Sequence, residues 1–269
     1  EPDRNTLCIS SQVGCAMECR FCQTGIMGFR RNLSPAEMVN QVCGVRDYLN
    51  EPSRNNQDTS QAITNLVFMG MGEPLNNMDN LLTTISILTD QKGLDMASRR
   101  ITVSTCGIVP KMHLLGELTN VNLAVSLHAV DNQTRDQLMP VNRRYPIEQL
   151  LQACKDYPIQ KRKRIMIEYI MLDGINDTVK HARALIRLLE GVPSKINLIP
   201  FNPFPGSGYT SSPPERVEAF RMRLKRSGLI ATTRKTRGDD IDAACGQLVG
   251  KVQDRSKRQL RNMRAGVNR

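Results

Sequence analysis

Thr6-Leu-Cys8-Ile-Ser-Ser-Gln-Val-Gly-Cys15-Ala-Met-Glu-Cys19-Arg-Phe-Cys22 is a β-rich run that breaks directly into a tight cysteine loop. Three thiols in eight residues, spaced C-x3-C-x2-C, ask for a metal. One such loop can hold three corners of a cubane 4Fe–4S cluster and leave the fourth iron open to chelate a substrate. Clusters that only carry electrons take four cysteines, and a structural zinc also wants four closed ligands. The nearest further candidates, Cys8 and Cys43, lie outside the loop. From spacing alone the open cluster is preferred, with zinc or another metal, or plain buried thiols, as the alternatives.

Outward from this loop, apolar β-rich runs alternate with segments of helical period. Strands are expected at Thr6–Ser11, Ile63–Met69, Ile101–Thr105, Asn122–Leu127, Ile165–Met171 and Lys195–Pro200. Helices are expected near 35–49, 78–91, 110–118, 147–156, 178–190 and 214–227. Ser34, Pro35 and Glu37 form a capping box at the start of the first. Six strand-then-helix units require right-handed parallel crossovers. The expected fold class is α/β: an open (βα)6 barrel, a partial version of the eight-unit TIM barrel. Residues 1–250 read as this barrel and 251–269 as a basic C-terminal tail, with no internal repeat and no second domain. Residues 51–61 read as a polar surface loop, and the Pro- and Gly-rich segment Phe201–Pro214 as a long ordered loop over the barrel mouth.

Ligands in such sheets sit beyond the C-terminal strand edge. Gly72 and Glu73 follow the second strand, where glycine lets backbone approach a ligand and a carboxylate can pair with an ammonium. Ser104 closes the third strand and Ser126-Leu127-His128 the fourth. Each reads alone as an ordinary turn or structural residue; three strand ends on one mouth make a pocket. Cys106 lies near this rim and Cys43 and Cys154 on helices, and all three read as core or incidental thiols.

Lys and Arg number 37 against 26 acids, a net charge of +11 in 269 residues. An excess of this size fits either a polyanionic partner or simple solubility. Clustering favours the partner: Lys161 to Arg164, Arg221 to Arg226, Arg234 to Arg237, and a tail from Lys251 with seven bases and one acid. Trp is absent and aromatics make up 4%, which argues against a base-stacking platform. The 40% hydrophobic content sustains a core. No run approaches the ~20 apolar residues of a membrane helix, and no export leader is visible, so no membrane association is expected.

With Phe21 before its last cysteine, the loop resembles the radical S-adenosylmethionine (SAM) signature. Ser10-Ser-Gln-Val-Gly-Cys15, Phe21-Cys-Gln-Thr-Gly25, Met69-Gly-Met-Gly-Glu-Pro74, Ser126-Leu-His128, Asn202-Pro-Phe-Pro-Gly206 and Arg237-Gly-Asp-Asp-Ile-Asp-Ala-Ala-Cys-Gly246 follow in order. Together they resemble the RlmN/Cfr family of RNA adenine methyltransferases. The resemblance implies one 4Fe–4S cluster on Cys15, Cys19 and Cys22, and two SAM molecules per turnover, contacted by Gly72, Glu73, Ser104, Ser126, Leu127, His128 and Asn202. It implies methylation of adenine C2 in 23S ribosomal RNA and in transfer RNA. C2 is an electron-poor amidine carbon, so a one-electron route replaces polar methyl transfer. By the same resemblance Cys245 carries the methyl group and Cys8 removes the ring proton. A Cys8–Cys245 disulfide then needs reduction each turnover, which implies a reducing cytoplasm and an electron donor such as flavodoxin; a monomer is expected.

Other readings stand beside these. Cys8 alone reads as a buried strand thiol, Cys245 as a helix-core cysteine, and Asp239, Asp240 and Asp242 as a solvated turn, a helix cap or an active-site wall. The rival within the family methylates adenine C8 and confers antibiotic resistance; the rival outside it is a basic RNA-binding module with a structural metal. The family carries a helical domain and an acidic residue ahead of the cluster strand, and this chain is expected to lack both. If the clustered bases contact phosphates, RNA affinity falls steeply with salt, and replacing several bases between Lys251 and Arg264 flattens the log–log slope. Filter binding across a salt series measures this, and an unchanged slope makes the tail a solvated face.

Overall fold

The parallel wall predicted from the alternating pattern is present and carries one strand more than expected. The computed structural model describes residues 5–50, 63–159, 163–234, 246 and 248. Strands β1 (Thr6–Cys8), β4 (Asn65–Phe68), β5 (Ile101–Thr105), β6 (Asn122–Ser126), β7 (Ile165–Met171), β8 (Ser194–Pro200) and β9 (Ala231–Thr233) form one sheet in that order. Every neighbouring pair is parallel. Strictly sequential order with parallel pairing is the signature of a barrel wall, here left open.

The crossover helices are α2 (Pro35–Asn50), α3 (Met78–Thr89), α4 (Val109–Leu118), α5 (Asn132–Leu138), α6 (Ile147–Asp156), α7 (Val179–Leu188) and α8 (Pro214–Arg226). The expected capping box opens α2: Ser34 Oγ accepts from Glu37 N–H at 3.3 Å and Glu37 Oε2 from Ser34 N–H at 2.9 Å. Helix α5 and strand β9 were not anticipated. Both are too short to show a period, and β9 (Ala-Thr-Thr) follows a Gly-containing turn with no apolar run.

The first strand is shorter than its sequence run. It ends at Cys8, and Gln12–Gly14 (β2) instead pairs antiparallel with Phe29–Asn32 (β3) in a separate hairpin. The cysteine loop and a single helical turn, α1 (Gln23–Met27), lie between the two hairpin strands. The expected loop at 51–61 lies outside the described residues. Between Phe201 and Pro213 only a bridge from Ser211 to Leu172 interrupts irregular chain, which is ordered by the rings of Phe201, Phe204 and Tyr209.

Leu66, Phe68, Ile101, Val103, Leu123, Val125, Ile165 and Ile167 pack against Met38, Leu81, Leu88, Met112 and Leu185 of the helices, all essentially buried. Alternation sends Ser104, Ser126 and Glu168 to the opposite face. There Ser126 is in register with Glu168, and Glu168 with Asn197.

Gly14 closes the hairpin at φ +77°, and Cys15 N–H donates to the Gly28 carbonyl at 2.9 Å. A Cβ at Gly14 would collide with that same carbonyl. Gly14→Ala is therefore expected to destabilise the chain by about 2–4 kcal/mol, from left-handed strain plus overpacking. Urea unfolding measures it, and a loss under about 0.5 kcal/mol, the scale of neutral surface changes, overturns the packing argument.

Candidate active site at the barrel rim

The cysteine loop folds against the C-terminal ends of β4, β5 and β6 and encloses a cavity of about 160 Å³. Cys15, Cys19 and Cys22 line it together with Gly72, Glu73, Ser104, Ser126 and His128. Eight of the residues expected from the sequence are thus brought to one place. A larger recess of about 830 Å³ lies between α8 and the β8–β9 edge, away from the thiols and without a cluster of reactive groups. The chemistry belongs to the smaller cavity.

Burial pushes all three thiols upward, Cys15 to about 12 and Cys19 well above its ordinary value. Mutual repulsion of their charges adds to the effect at Cys15 and Cys19. A bound cation reverses this by ionising coordinating thiols outright. Among the described residues no three His, Cys, Asp or Glu side chains converge on a point that one metal ion could share. A cubane does not ask them to, because each of its three irons takes one thiolate. The three loop thiols, Cys15 buried and Cys19 and Cys22 partly buried, face a single cavity, and with no closed four-ligand shell among the described residues they fit an open 4Fe–4S centre.

Glu73 is buried and busy. Its Oε1 accepts from Leu75 N–H at 3.0 Å and its Oε2 from Cys106 N–H at 2.8 Å. Gly72, at φ +98°, is required less for a ligand than for Gln12, whose Cβ and backbone N a Cβ there would strike. Cys106 is a core thiol, as expected, and also lines the cavity beside Glu73. Leu127 turns a fully buried side chain into the core and is absent from the lining. Asn202, two residues beyond β8, is also outside the lining, while Ile199 is within it.

His128 sits at φ +61°, a left-handed position that a non-glycine residue holds only when its surroundings insist. Its Nδ1 accepts from Ile170 N–H at 3.0 Å and its carbonyl from Asn176 Nδ2 at 2.8 Å. Phe21 of the cysteine loop meets its ring edge-on at 4.7 Å. With Nδ1 accepting, the ring is neutral and carries its proton on Nε2.

Sequence reasoning missed Glu168. It lies inside the apolar run Ile165–Met171, lines the cavity and is 6% exposed. Its Oε2 accepts from Ser104 Oγ at 3.0 Å, while Oε1 has no hydrogen-bond partner. Burial raises its carboxyl above the usual range, opposed by the charge of Arg234. The signal was available: an acid in a strand otherwise buried on both faces needs a reason.

Cys8 is exposed, which corrects its reading as a buried strand thiol. The protein around it still pushes the thiol upward, with Arg234 and the Met69 N–H pulling it down. Cys245, Asp239, Asp240, Asp242, Lys161, Arg162, the run 235–237 and the tail 251–269 lie outside the described residues. Gly246 does not: its carbonyl accepts from Gln23 N–H at 2.7 Å and it lines the cavity, while Leu248 O accepts from Thr24 Oγ1 at 2.6 Å. Among the described residues no helix is long and apolar enough to cross a membrane.

An open parallel barrel with three cysteines of a C-x3-C-x2-C loop at its C-terminal rim defines a radical SAM protein, and residues 9–188 match the Radical SAM superfamily. The chain is 61% identical to the dual-specificity RNA methyltransferase RlmN of Desulfotalea psychrophila, over 92% of its own length and 68% of that protein's. It is 51% identical to the RlmN of Alkalilimnicola ehrlichii, over 99% and 72%. A crystal structure of a radical SAM methyltransferase from Sphaerobacter thermophilus superposes with a TM-score of 0.86 at 45% identity, covering 92% of this chain and 71% of that one. The maturase HydG, at 11% identity and TM-score 0.57, shares the fold alone. The chain belongs to the RlmN-like family of the radical SAM superfamily, whose cofactors are a 4Fe–4S cluster and SAM.

Burial lowers the pKa of His128 to about 3, helped by the charge of Arg135. Between that value and the ordinary 6.5 the unfolded chain binds a proton that the folded chain refuses. Its contribution to stability is therefore full above about pH 6.5 and falls by about 1.4 kcal/mol per pH unit below it. Urea unfolding of the metal-free chain at pH 7 and pH 5.5 should show a smaller pH slope for His128→Asn than for the wild type. Equal slopes overturn the assignment.

Proposed function

We propose that this chain is the catalytic barrel of an RNA methyltransferase that methylates C2 of adenosine in 23S ribosomal RNA and in transfer RNA. Cys15, Cys19 and Cys22 hold the cluster by three thiolates, and two SAM molecules are used per turnover. The reading rests on family membership and on one geometric observation: Gly246 is hydrogen-bonded to the cysteine loop and lines its cavity. The peptide neighbour of Gly246 is Cys245.

The bound group supplies one thing, a one-electron cleavage of SAM that makes the abstracting radical. The chain's residues do the rest. The Cys245 thiolate takes a methyl group from the first SAM by polar substitution, releasing S-adenosylhomocysteine. Hydrogen abstraction from that methyl leaves a carbon radical on the protein, which adds to adenine C2 and joins enzyme to RNA. The Cys8 thiolate then takes the C2 proton. As the C–S bond breaks, Cys8 and Cys245 pair as a disulfide, the proton passes to the released methylene carbon to complete the methyl group, and one electron is released. Glu168 lines the cavity, where its carboxylate would accept a hydrogen bond from the bound cofactor, and Ser104 orients it. A flavodoxin-type donor supplies the electron for SAM cleavage.

The two thiols act at different stages, so their variants should differ. Cys8→Ala is expected to retain iron, form the bond to adenine and stall, giving a nuclease-sensitive protein–RNA band on a denaturing gel. Cys245→Ala and the double variant should give no such band. Normal turnover by Cys8→Ala returns Cys8 to a structural role. Absence of the band in every variant that still carries iron overturns the order of events. Mass spectrometry of the methylated nucleoside distinguishes C2 from C8.

A further inference from the structure

Arg135, on α5, is the largest fully buried side chain among the described residues and has no exposed surface. All of its N–H donors are used. Nε donates to Leu127 O at 3.0 Å, Nη1 to Asn142 Oδ1 at 2.9 Å and Tyr145 O at 3.5 Å, and Nη2 to Cys106 O at 2.8 Å and Ser126 O at 2.9 Å. Every one of these acceptors is neutral. A guanidinium remains charged at any working pH, and a buried charge is strongly disfavoured unless something balances it.

Among the described residues no carboxylate forms an ion pair with Arg135. Asp136 reaches it only through the Asn142 amide. Glu73 reaches it only across residue 106, whose N–H goes to Glu73 and whose carbonyl goes to Arg135. Yet the guanidinium stands directly behind the wall of the cysteine cavity, since Cys106 and Ser126 line that cavity. Its own helix carries the cysteine loop, because Leu138 O accepts from Arg20 N–H at 3.0 Å.

We propose that Arg135 is the internal counter-charge of the iron–sulfur centre: its buried cation balances the thiolates and the electron the cluster takes up, and so sets the reduction potential. This rests on the reading of Cys15, Cys19 and Cys22 as the cluster ligands. A fixed cation favours the more negative, reduced form, so cancelling it moves the potential in the negative direction. At an effective dielectric of about 20 and a separation of roughly 10 Å, Coulomb attraction corresponds to about a tenfold change in the reduced-to-oxidised ratio.

The test reconstitutes the chain anaerobically with iron and sulfide, measures iron content, and titrates the cluster with a graded reductant. Arg135→Gln removes the charge. Asn142→Asp keeps the guanidinium but places a carboxylate on an acceptor it already touches. Arg135→Lys keeps a cation with fewer donors. The first two should reduce less readily, by about tenfold at a fixed solution potential, or 59 mV for a one-electron couple. Arg135→Lys should stay close to wild type even if it unfolds more easily. Potentials unmoved in Arg135→Gln and Asn142→Asp overturn the proposal, as does a Lys shift equal to the Gln shift. Where Arg135→Gln does not fold, Asn142→Asp decides alone. A wild type that takes up no iron brings down the ligand assignment itself, whereas an iron-loaded set with equal potentials brings down only the role of Arg135.

Discussion

A continuous run of hydrogen bonds, most of them buried, ties the barrel rim together, and the site depends on it. It starts at Asn32 on the hairpin, whose Oδ1 accepts from Gln12 Nε2 at 2.8 Å. Gln12 Oε1 accepts from Glu73 N–H at 2.8 Å, and the Glu73 carboxylate accepts from Cys106 N–H. The Cys106 carbonyl then accepts from Arg135, which also holds the carbonyls of Ser126 and Leu127. One run therefore links the hairpin carrying the cysteine loop to the ends of three strands and to α5. Buried groups of this kind are costly if left unpaired, so each link fixes the next.

This constraint explains why the polar residues of the rim divide their labour. Glu73 spends both carboxylate oxygens on backbone N–H groups, one of them the cap of the short 3-10 turn Pro74–Asn77. It is a positioning group first, whatever it adds toward a ligand. Glu168, lining the same cavity, leaves Oε1 without a hydrogen-bond partner. His128 carries a strained backbone so that its ring can brace Phe21 on one side and the Ile170 N–H on the other. Rigid surroundings of this sort hold a reacting group in place without reorganisation at the moment of reaction.

The sequence made some of this legible and not the rest, for physical reasons. Ile101–Thr105 and Ile165–Met171 were predicted to the residue: the first alternates Ile and Val with Thr and Ser, the second is apolar but for Glu168, and both are rich in residues that favour strands. Thr6–Ser11 was too long: the regular strand ends at Cys8, although buried Ile9 still donates its N–H to the Val67 carbonyl at 3.0 Å. The metal loop was legible because three cysteines at fixed spacing have few other uses. Arg135 was not, since a single charged residue in a short helix carries no periodic signal, whereas Glu168 stood out only as an acid inside an apolar run. Their importance comes from burial, which only the fold supplies. Leu127 shows the converse: it sits in a motif between two lining residues, yet strand alternation turns its side chain away from the cavity.

The place of Cys8 has its own logic under the proposed chemistry. A thiol that takes a proton must wait in a fixed position. Cys8 belongs to β1, anchored by parallel pairing to Val67 and flanked by the next strand's Met69. Arg234, just beyond β9 at the opposite edge of the sheet, still acts on it, as does Glu168 with the opposite sign. The open wall therefore curls far enough to bring its first and last strands into electrostatic reach. The surrounding protein raises the Cys8 thiol most, and Arg234 on the far edge opposes it while Glu168 adds to it. The open wall leaves the thiol exposed while retaining, in Arg234, a charge that favours the thiolate a base needs.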